Sequence, residues 1–181
     1  MSSYAVFLRG INVGGINIKM ADLRDALKDC GFQDAKTLLA SGNVVLSSSL
    51  DAAAVKQECE TCLRAAFGYE AWVVVLDAAR VGSLVESCPY PEDDKSTHTY
   101  ITLSSDPAVL DELEAAGSGL EGHDQQRLAP EALAWLASVG GTLDSPFSKI
   151  SSRTKFKAAT TTRNLRTLVK VRDAAQALDA G

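Results

Sequence analysis

The spacing of apolar residues in the first 77 residues predicts alternating strands and helices. Short runs rich in Val, Leu and aromatic residues are typical of strands, and apolar residues three and four positions apart are typical of helices. The predicted strands are 4–9, 36–39, 44–46 and 71–76, and the predicted helices are 20–30 and 51–68. The order βαββαβ is the ferredoxin-like, or split βαβ, plan.

The second half of the chain repeats this pattern without a final strand. A strand is predicted at 97–103, a helix at 107–116 and a hairpin at 125–137, and helical sequence follows. Since the first and fourth strands are apolar on both faces, we expect both faces of that sheet to be covered. The sequence therefore predicts an α+β protein of two ferredoxin-like subdomains packed into one unit, the second incomplete. The predicted divisions are a βαββαβ subdomain at 1–77, a helix and solvated acidic linker at 78–96, and a βαββα subdomain at 97–181.

Length and composition exclude several classes of protein. The chain has 181 residues, 46% of them hydrophobic and 23% charged, so it has the material for a packed core and is not a disordered or collagen-like chain. The longest apolar run, 71–76, is far shorter than the roughly 18 residues that a membrane-spanning helix needs. The N-terminus has no secretory pattern. We therefore expect a cytoplasmic protein without a membrane partner.

The net charge of −5 conceals a strongly uneven distribution. Residues 1–144 carry ten basic and twenty-one acidic side chains, whereas residues 145–172 carry eight basic and none acidic. Lys149, Arg153 and Lys157 would form one stripe if their segment is helical, and Arg163, Arg166 and Lys170 would share one side of the next helix. Such a face indicates an anionic partner. The alternative is a solvated basic face whose charge balances the acidic residues of 1–144.

Two turns are candidates for an anion site. The first is a Gly-rich segment between a strand and a helix, and the second is a threonine cluster that is predicted to open the last helix. Their candidate ligand-binding residues are Arg9, Gly10, Asn12, Gly14, Gly15, Lys19, Thr161, Thr162, Arg163 and Asn164. The first segment is neither of the common phosphate-loop patterns. Glycines that permit a long turn, and a capped helix with a solvated basic face, are the alternative interpretations.

The remaining residues give little support for catalysis or metal binding. Cys59 and Cys62 form a C-x-x-C, but within a predicted helix and without two further ligands, so we expect thiols at all four cysteines, Cys30 and Cys88 included. His98 and His123 show no partner by spacing. We therefore assign no catalytic residue, no metal site and no cofactor, and whether the protein is an enzyme stays open.

Four strings of the sequence closely resemble a bacterial family known as domain of unknown function 1697. They are Leu-Arg-Gly-Ile-Asn-Val-Gly-Gly at 8–15, Lys-Met-Ala-Asp-Leu-Arg at 19–24, Ser-Gly-Asn-Val-Val at 41–45 and Thr-Thr-Arg-Asn at 161–164. The resemblance implies a two-part α+β fold of ferredoxin-like units and a cytoplasmic protein, and it implies no reaction. This chain departs from the family at Leu39–Ala40, where an aromatic and a polar residue are common, and at Leu165, where Trp is common.

Three hypotheses about function follow. The first is the binding of an anionic small molecule, a phosphorylated metabolite or a nucleotide, through the Gly-rich loop and the basic C-terminal helices. The second is nucleic-acid binding through the basic stripes. An RNA-recognition strand is not part of it, because 42–46 has no aromatic residue. The third is an interaction protein without a small ligand, as a monomer or a homodimer.

Overall fold

Two antiparallel four-stranded sheets form the framework of the chain. The structure is a computed structural model that describes residues 1–12, 16–142 and 144–180. The chain divides into two compact units, Met1–Gly82 with Lys170–Gly181 and Ser83–Val169. The last helix, α7 (Leu165–Asp179), contributes residues to both units. The domain boundaries that the sequence suggests at residues 77 and 97 stay a prediction.

The first unit is a complete ferredoxin-like subdomain, as the sequence predicts. Its sheet has the order β2-β3-β1-β4, and every neighbouring pair is antiparallel. The elements are β1 (Ser2–Leu8), α1 (Met20–Asp29), β2 (Lys36–Leu38), β3 (Asn43–Ser48), α2 (Ala52–Phe67) and β4 (Val73–Asp77), followed by the start of α3 (Ala78–Ser87). The central strand β1 is buried at every position after Ser2.

Local sequence explains where α2 begins and ends. Asp51 is the N-cap, and its carboxylate accepts a hydrogen bond of 2.8 Å from the Ala54 N–H. Gly68 closes the helix in the left-handed conformation, at φ +65°. The buried face carries Val55, Cys59, Cys62 and Leu63, spaced as a helix that packs one stripe against a core requires. The predicted helix at 51–68 is confirmed.

The second unit has the same sheet order, and its fourth strand corrects the sequence-based prediction. The elements are β5 (Thr97–Ser104), α4 (Pro107–Ser118), β6 (Gln125–Ala129), β7 (Ala132–Ser138), α5 (Pro146–Ser151), α6 (Thr154–Lys157) and β8 (Thr160–Asn164). The order β6-β7-β5-β8 makes this a complete ferredoxin-like sheet, not an incomplete one. Both subdomains therefore have the complete four-stranded ferredoxin-like sheet, which the sequence predicts only for the first.

The threonine cluster at 160–164 is a strand because it pairs with β5. Thr102 lies opposite Thr162 in the register, and their hydroxyl oxygens are 2.9 Å apart. Thr102 in turn accepts a hydrogen bond of 3.0 Å from the buried Trp135 indole. The β-branched threonines suit a strand, so the prediction that they open a helix is wrong. The helix α7 begins at Leu165, directly after the strand. Asn164 Oδ1 accepts a hydrogen bond of 2.8 Å from the Arg166 N–H at this junction.

The basic residues do not form the stripe that the sequence suggests. Lys149 lies in α5, whereas Arg153 has extended backbone angles (φ −60°, ψ 143°) and separates α5 from α6, which holds Lys157. The hydroxyls of Ser151 and Ser152 donate to backbone carbonyls three residues earlier, and such local bonds compete with a continuous helix. The single i, i+4, i+8 stripe is therefore wrong. So is the shared helix face of Arg163 with Arg166 and Lys170, because Arg163 is buried in β8.

The cysteines also differ from expectation. Cys30, the C-cap residue of α1, is joined by a disulfide to Cys62 on α2, and the two Cα atoms are 6.2 Å apart. Cys59 and Cys88 are thiols, as expected. The pairing joins residues 32 positions apart, which only the packing of α1 on α2 brings together.

The described helices and acidic side chains bear on membrane insertion and metal binding. Within 1–12, 16–142 and 144–180, none of the helices has the length and apolar character needed to span a bilayer. The same part of the chain holds no group of three or more His, Cys, Asp or Glu side chains placed to bind a metal ion.

Candidate functional site

The Gly-rich segment after β1 is held in place by Asn12. This residue has a positive φ of +57°. Its side-chain amide donates to the carbonyls of Ile18 and Ala40, at 3.3 and 2.6 Å, while its Oδ1 accepts the Ile18 N–H at 3.0 Å. The two bonds to Ile18 stay on the same side of α1, and the bond to Ala40 ties Asn12 to the turn between β2 and β3. Asn12 therefore positions the loop.

The turn between β2 and β3 fits closely against the same segment. Gly42 has φ +80°, and a Cβ atom there would lie 2.9 Å from Ile11 Cγ1 and 3.1 Å from Leu8 Cβ. The Gly42 carbonyl accepts the Leu8 N–H at 2.9 Å. Asn43 is fully buried and donates to the Leu38 carbonyl at 2.9 Å. The Leu-Arg-Gly-Ile-Asn and Ser-Gly-Asn strings therefore fit each other.

A cluster of cationic and aromatic side chains lies at this end of the first sheet, where β1 ends and β4 begins. We call Arg9, Lys56, Glu60, Tyr69 and Trp72 the Trp72 cluster. Trp72 is 37% exposed. The Lys56 Nζ lies 5.0 Å from the centre of its ring and the Arg9 guanidinium carbon 5.8 Å, both within cation–π range. Backbone pairing fixes this arrangement, because the Arg9 N–H donates to the Trp72 carbonyl at 3.0 Å.

The charges of the Trp72 cluster are only partly balanced by its own carboxylate. Lys56 pairs with Glu60 and also donates to the Val73 carbonyl at 2.9 Å. Glu60 further accepts the Val73 N–H at 3.1 Å and lies 3.8 Å from Arg64. Burial raises the pKa of Tyr69, against a smaller lowering effect of the Arg9 charge. The cluster therefore combines several cations and two aromatic rings around one acid.

The other candidate ligand-binding residues of the Gly-rich segment are Gly10, Gly14, Gly15 and Lys19. Gly10 and Lys19 are exposed, and Gly10 has φ +70°. Gly14 and Gly15 lie outside the described residues. Lys56 and Trp72 were not among the predicted residues, because they come from segments remote in sequence from the Gly-rich loop. The sequence signal that could have indicated Trp72 is a tryptophan within the apolar run 71–76.

The second unit holds a compact polar cluster that the sequence did not indicate. Its members are Asp93, His98, Asn164 and Arg166, which we call the Asp93 cluster. The Asp93 side chain is only 9% exposed, and its oxygens lie 3.1 Å from Asn164 Nδ2, 3.3 Å from His98 Nδ1 and 3.3 Å from Arg166 Nη2. The segment expected to be a solvated linker is thus anchored at Asp93, and His98 has the acidic partner that its spacing concealed.

The ionisation of Asp93 follows from these contacts. Burial alone would raise the pKa of Asp93. The hydrogen bonds from Asn164, His98 and the Thr99 backbone together outweigh it and lower that pKa below 3.8. At neutral pH the ionised Asp93 joins the linker to β5, β8 and the start of α7. The arrangement has the character of a structural anchor.

The remaining predicted residues of the Thr-Thr-Arg-Asn string have different environments. Thr161 and Arg163 are buried, and Thr162 is exposed. The Arg163 guanidinium donates to Thr161 Oγ1 at 2.6 Å and to the Thr162 carbonyl at 2.9 Å. Burial lowers the pKa of Arg163 to about 10, so the group stays charged at neutral pH. Arg163 belongs to the second unit, whereas Arg9 belongs to the first.

The basic-patch residues are exposed but unevenly distributed. Lys149, Arg153 and Lys157 are exposed on or between α5 and α6. Nearby, the exposed Lys155 pairs with Glu112. Arg166 is 58% exposed at its side chain and pairs with Asp93, and Lys170 is exposed in the residues assigned to the first unit. The cations of α5 and α6 therefore form the largest group of exposed positive charge within the basic segment.

Comparison with known proteins places this chain in a family. The family model described as protein of unknown function (DUF1697) matches residues 1–133, so the chain belongs to that family. The matched residues include the Gly-rich segment and the Ser-Gly-Asn turn, and they end before the Thr-Thr-Arg-Asn string.

A solved structure has a similar fold. It is that of the conserved bacterial protein SP0830 from Streptococcus pneumoniae, with 22% sequence identity and a TM-score of 0.80. The match covers 97% of this chain and 99% of that one. No curated protein matches this chain.

Proposed function

We propose that this protein binds an anionic small molecule that carries a phosphate group, such as a phosphorylated metabolite or a nucleotide. The site is the loop-bearing end of the first sheet, at the Trp72 cluster. The observation that carries the proposal is the placement of two cations, Arg9 and Lys56, against an indole that remains 37% exposed.

The chemistry of these side chains suits such a ligand. An arginine fork and a lysine ammonium form charge-assisted hydrogen bonds to phosphate oxygens. An exposed indole adds a flat apolar surface, on which a base or another planar group stacks with about 1–3 kcal/mol. Lys19 and the backbone of Gly10 are further candidate ligand contacts. Gly14 and Gly15 also remain candidate ligand contacts. Asn12 contributes indirectly by holding the loop.

The Thr-Thr-Arg-Asn string is a secondary part of this proposal. Thr162 is its exposed member. Arg163 bonds within its own strand, so its replacement would disturb the second sheet before it reported on a ligand. Variants in the first unit therefore test the proposal more cleanly.

A thermal-shift panel of phosphate-bearing compounds at low ionic strength tests the proposal. A ligand that binds only the folded protein raises the melting temperature by mass action. We expect a shift in the wild type that is reduced in Arg9→Gln and Trp72→Ala. It should be retained in Arg24→Gln, which removes an equivalent charge from a 43% exposed side chain elsewhere in the first unit. A panel without any shift, or equal shifts in Arg9→Gln and Arg24→Gln, would refute the proposal.

Nucleic-acid binding is the second candidate, and the exposed cations of α5 and α6 favour it. Lys149, Arg153, Lys155 and Lys157 lie within nine residues. Binding through them would weaken steeply with salt, because each phosphate contact releases counterions. We expect retention on heparin at low salt that is lost in a Lys149→Glu/Lys157→Glu variant. A wild type that passes through heparin unretained would exclude this candidate.

The third hypothesis is an interaction protein without a small ligand. It predicts that none of the phosphate-bearing compounds raises the melting temperature. It also predicts that charge reversal at Arg166 and Lys170 changes the melting temperature or the oligomeric mass. A cytoplasmic location and a monomeric or homodimeric state belong to the proposal as expectations, and light scattering of the purified protein decides the oligomeric state.

A further inference from the structure

The disulfide in the first unit joins an exposed residue to a buried one. Cys30 is exposed at the end of α1, whereas Cys62 is only 4% exposed on the inner face of α2. The Cys30 end of the bond thus lies at the surface, and the Cys62 end is shielded. An external thiolate has access to the bond from the Cys30 side.

A cavity lies beside Cys30. It has a volume of about 280 Å³ and is lined by Met1, residues 30–32, the end of β3 with the two residues after it (47–50), and Glu58. A small thiol compound needs space next to the sulfur that it attacks, because exchange proceeds through a mixed disulfide. The cavity supplies that space at Cys30.

The reduced state also has a place for its buried thiol. Cys62 Sγ lies 3.2 Å from the Ala26 carbonyl oxygen. When the bond is opened, the Cys62 thiol has this carbonyl beside it as a hydrogen-bond acceptor. The reduced Cys62 therefore has a polar partner in its buried position.

Cys59 does not compete for Cys62, despite the C-x-x-C spacing. It is fully buried, and burial, with smaller contributions from Glu60 and Glu58, raises its pKa to about 12. Because the thiolate is the nucleophile in exchange, Cys59 stays an inert thiol. The partner of Cys62 is Cys30, on another helix.

We propose that Cys30 and Cys62 form a reversible thiol–disulfide site that exchanges with low-molecular-weight thiols and disulfides at Cys30. On reduction, a thiolate attacks Cys30 Sγ, the bond to Cys62 breaks, and Cys62 leaves as a thiolate that takes up a proton. A second thiolate then releases Cys30 and carries away the first thiol as a disulfide. On oxidation, the Cys30 thiolate attacks a small disulfide and expels one thiolate. Deprotonated Cys62 resolves the mixed bond and expels the other.

The site changes how firmly α1 is tied to α2. The bond closes a loop with a sequence separation of 32 residues, and such a cross-link restricts the unfolded chain. For a loop of this length in a chain of this size, opening the bond lowers the melting temperature by roughly 7–15 °C. This shift is the measurable signature of the switch.

The test is equilibration of the full-length protein in buffers of different ratios of reduced to oxidised glutathione, followed by alkylation, peptide mapping and thermal melts. We expect a Cys30–Cys62 linked peptide that disappears reversibly as the ratio rises, with a matching fall in melting temperature. Cys30→Ser and Cys62→Ser should melt as the reduced protein does and show no dependence on the ratio, whereas Cys88→Ser should respond like the wild type.

Each of four outcomes would overturn the proposal. One is a peptide map in which Cys59 is the partner of Cys62. Another is a Cys30 that stays a free thiol at every ratio. The third is a melting temperature that does not change although the bond opens. The fourth is a Cys59→Ala variant whose melting temperature no longer depends on the glutathione ratio, because this variant keeps the proposed pair intact.

Discussion

The side-chain amide of Asn12 donates to the carbonyl of Ala40 over 2.6 Å, and this bond joins the loop after β1 to the turn between β2 and β3. Two strings that lie almost thirty residues apart in sequence are thereby parts of one local structure. Arg9, which follows β1 and belongs to the proposed ligand site, depends on this contact between loop and turn for its position.

Replacement of Asn12 by glycine should therefore destabilise the first unit. Glycine accepts the positive φ of +57° but provides none of the three side-chain hydrogen bonds, so we expect a loss of about 1–3 kcal/mol in the free energy of unfolding. Chemical denaturation measures it. Asn17→Gly, which makes the same exchange at an exposed position of the same loop, controls for added chain flexibility. Equal losses in the two variants would contradict the assigned role.

Replacement of Gly42 by alanine should be more damaging than the same change at Gly68. Both glycines have positive φ, so both pay the cost of a Cβ in that region, about 1 kcal/mol. At Gly42 the Cβ also meets Ile11 and Leu8, whereas at Gly68 nothing lies within 4 Å. We expect Gly42→Ala to cost about 1–3 kcal/mol more than Gly68→Ala in denaturant melts. A Gly42→Ala variant as stable as Gly68→Ala would show that the turn does not pack as described.

The Asp93 cluster should make the protein sensitive to acid. Because the folded state lowers the pKa of Asp93 below 3.8, the ionised form stabilises the fold at higher pH. This stability is lost as the pH falls below about 4 and through the lowered pKa. Asp93→Asn should therefore be less stable than the wild type near neutral pH and show a flatter loss of stability in acid. Free energies of unfolding across the acid range check this, and parallel curves for the two proteins would contradict it.

His123 predicts a second pH dependence in a different range. Its ring stacks on Phe147 with 4.2 Å between centroids, and burial is the main cause that lowers its pKa below 6.5. The folded state therefore disfavours the protonated ring, so stability should fall as the pH drops below about 6.5. His123→Phe keeps an aromatic ring against Phe147 and should remove this slope. If the variant keeps the wild-type slope between about pH 5 and 7, the effect does not come from His123.

The sequence predicts the first sheet well, and particular residues explain why it fails elsewhere. Strands such as 71–76 carry an apolar signal that does not depend on their neighbours. Thr160–Asn164 has no such signal, and only its pairing with residues 100–104 of β5 makes it a strand. The Cys30–Cys62 bond and the Trp72 cluster likewise depend on helix packing and strand register, which join residues from separate segments.

The central claim is most directly tested by the fluorescence of Trp72 during titration with a phosphate-bearing ligand selected from the thermal panel. The second tryptophan, Trp135, is only 3% exposed and acts as an internal reference. Binding at the Trp72 cluster predicts a saturable change of emission in the wild type that is absent in Trp72→Phe and weakened in Lys56→Met. A ligand that binds by calorimetry without changing the emission, or that changes it equally in Trp72→Phe, would contradict the proposed site.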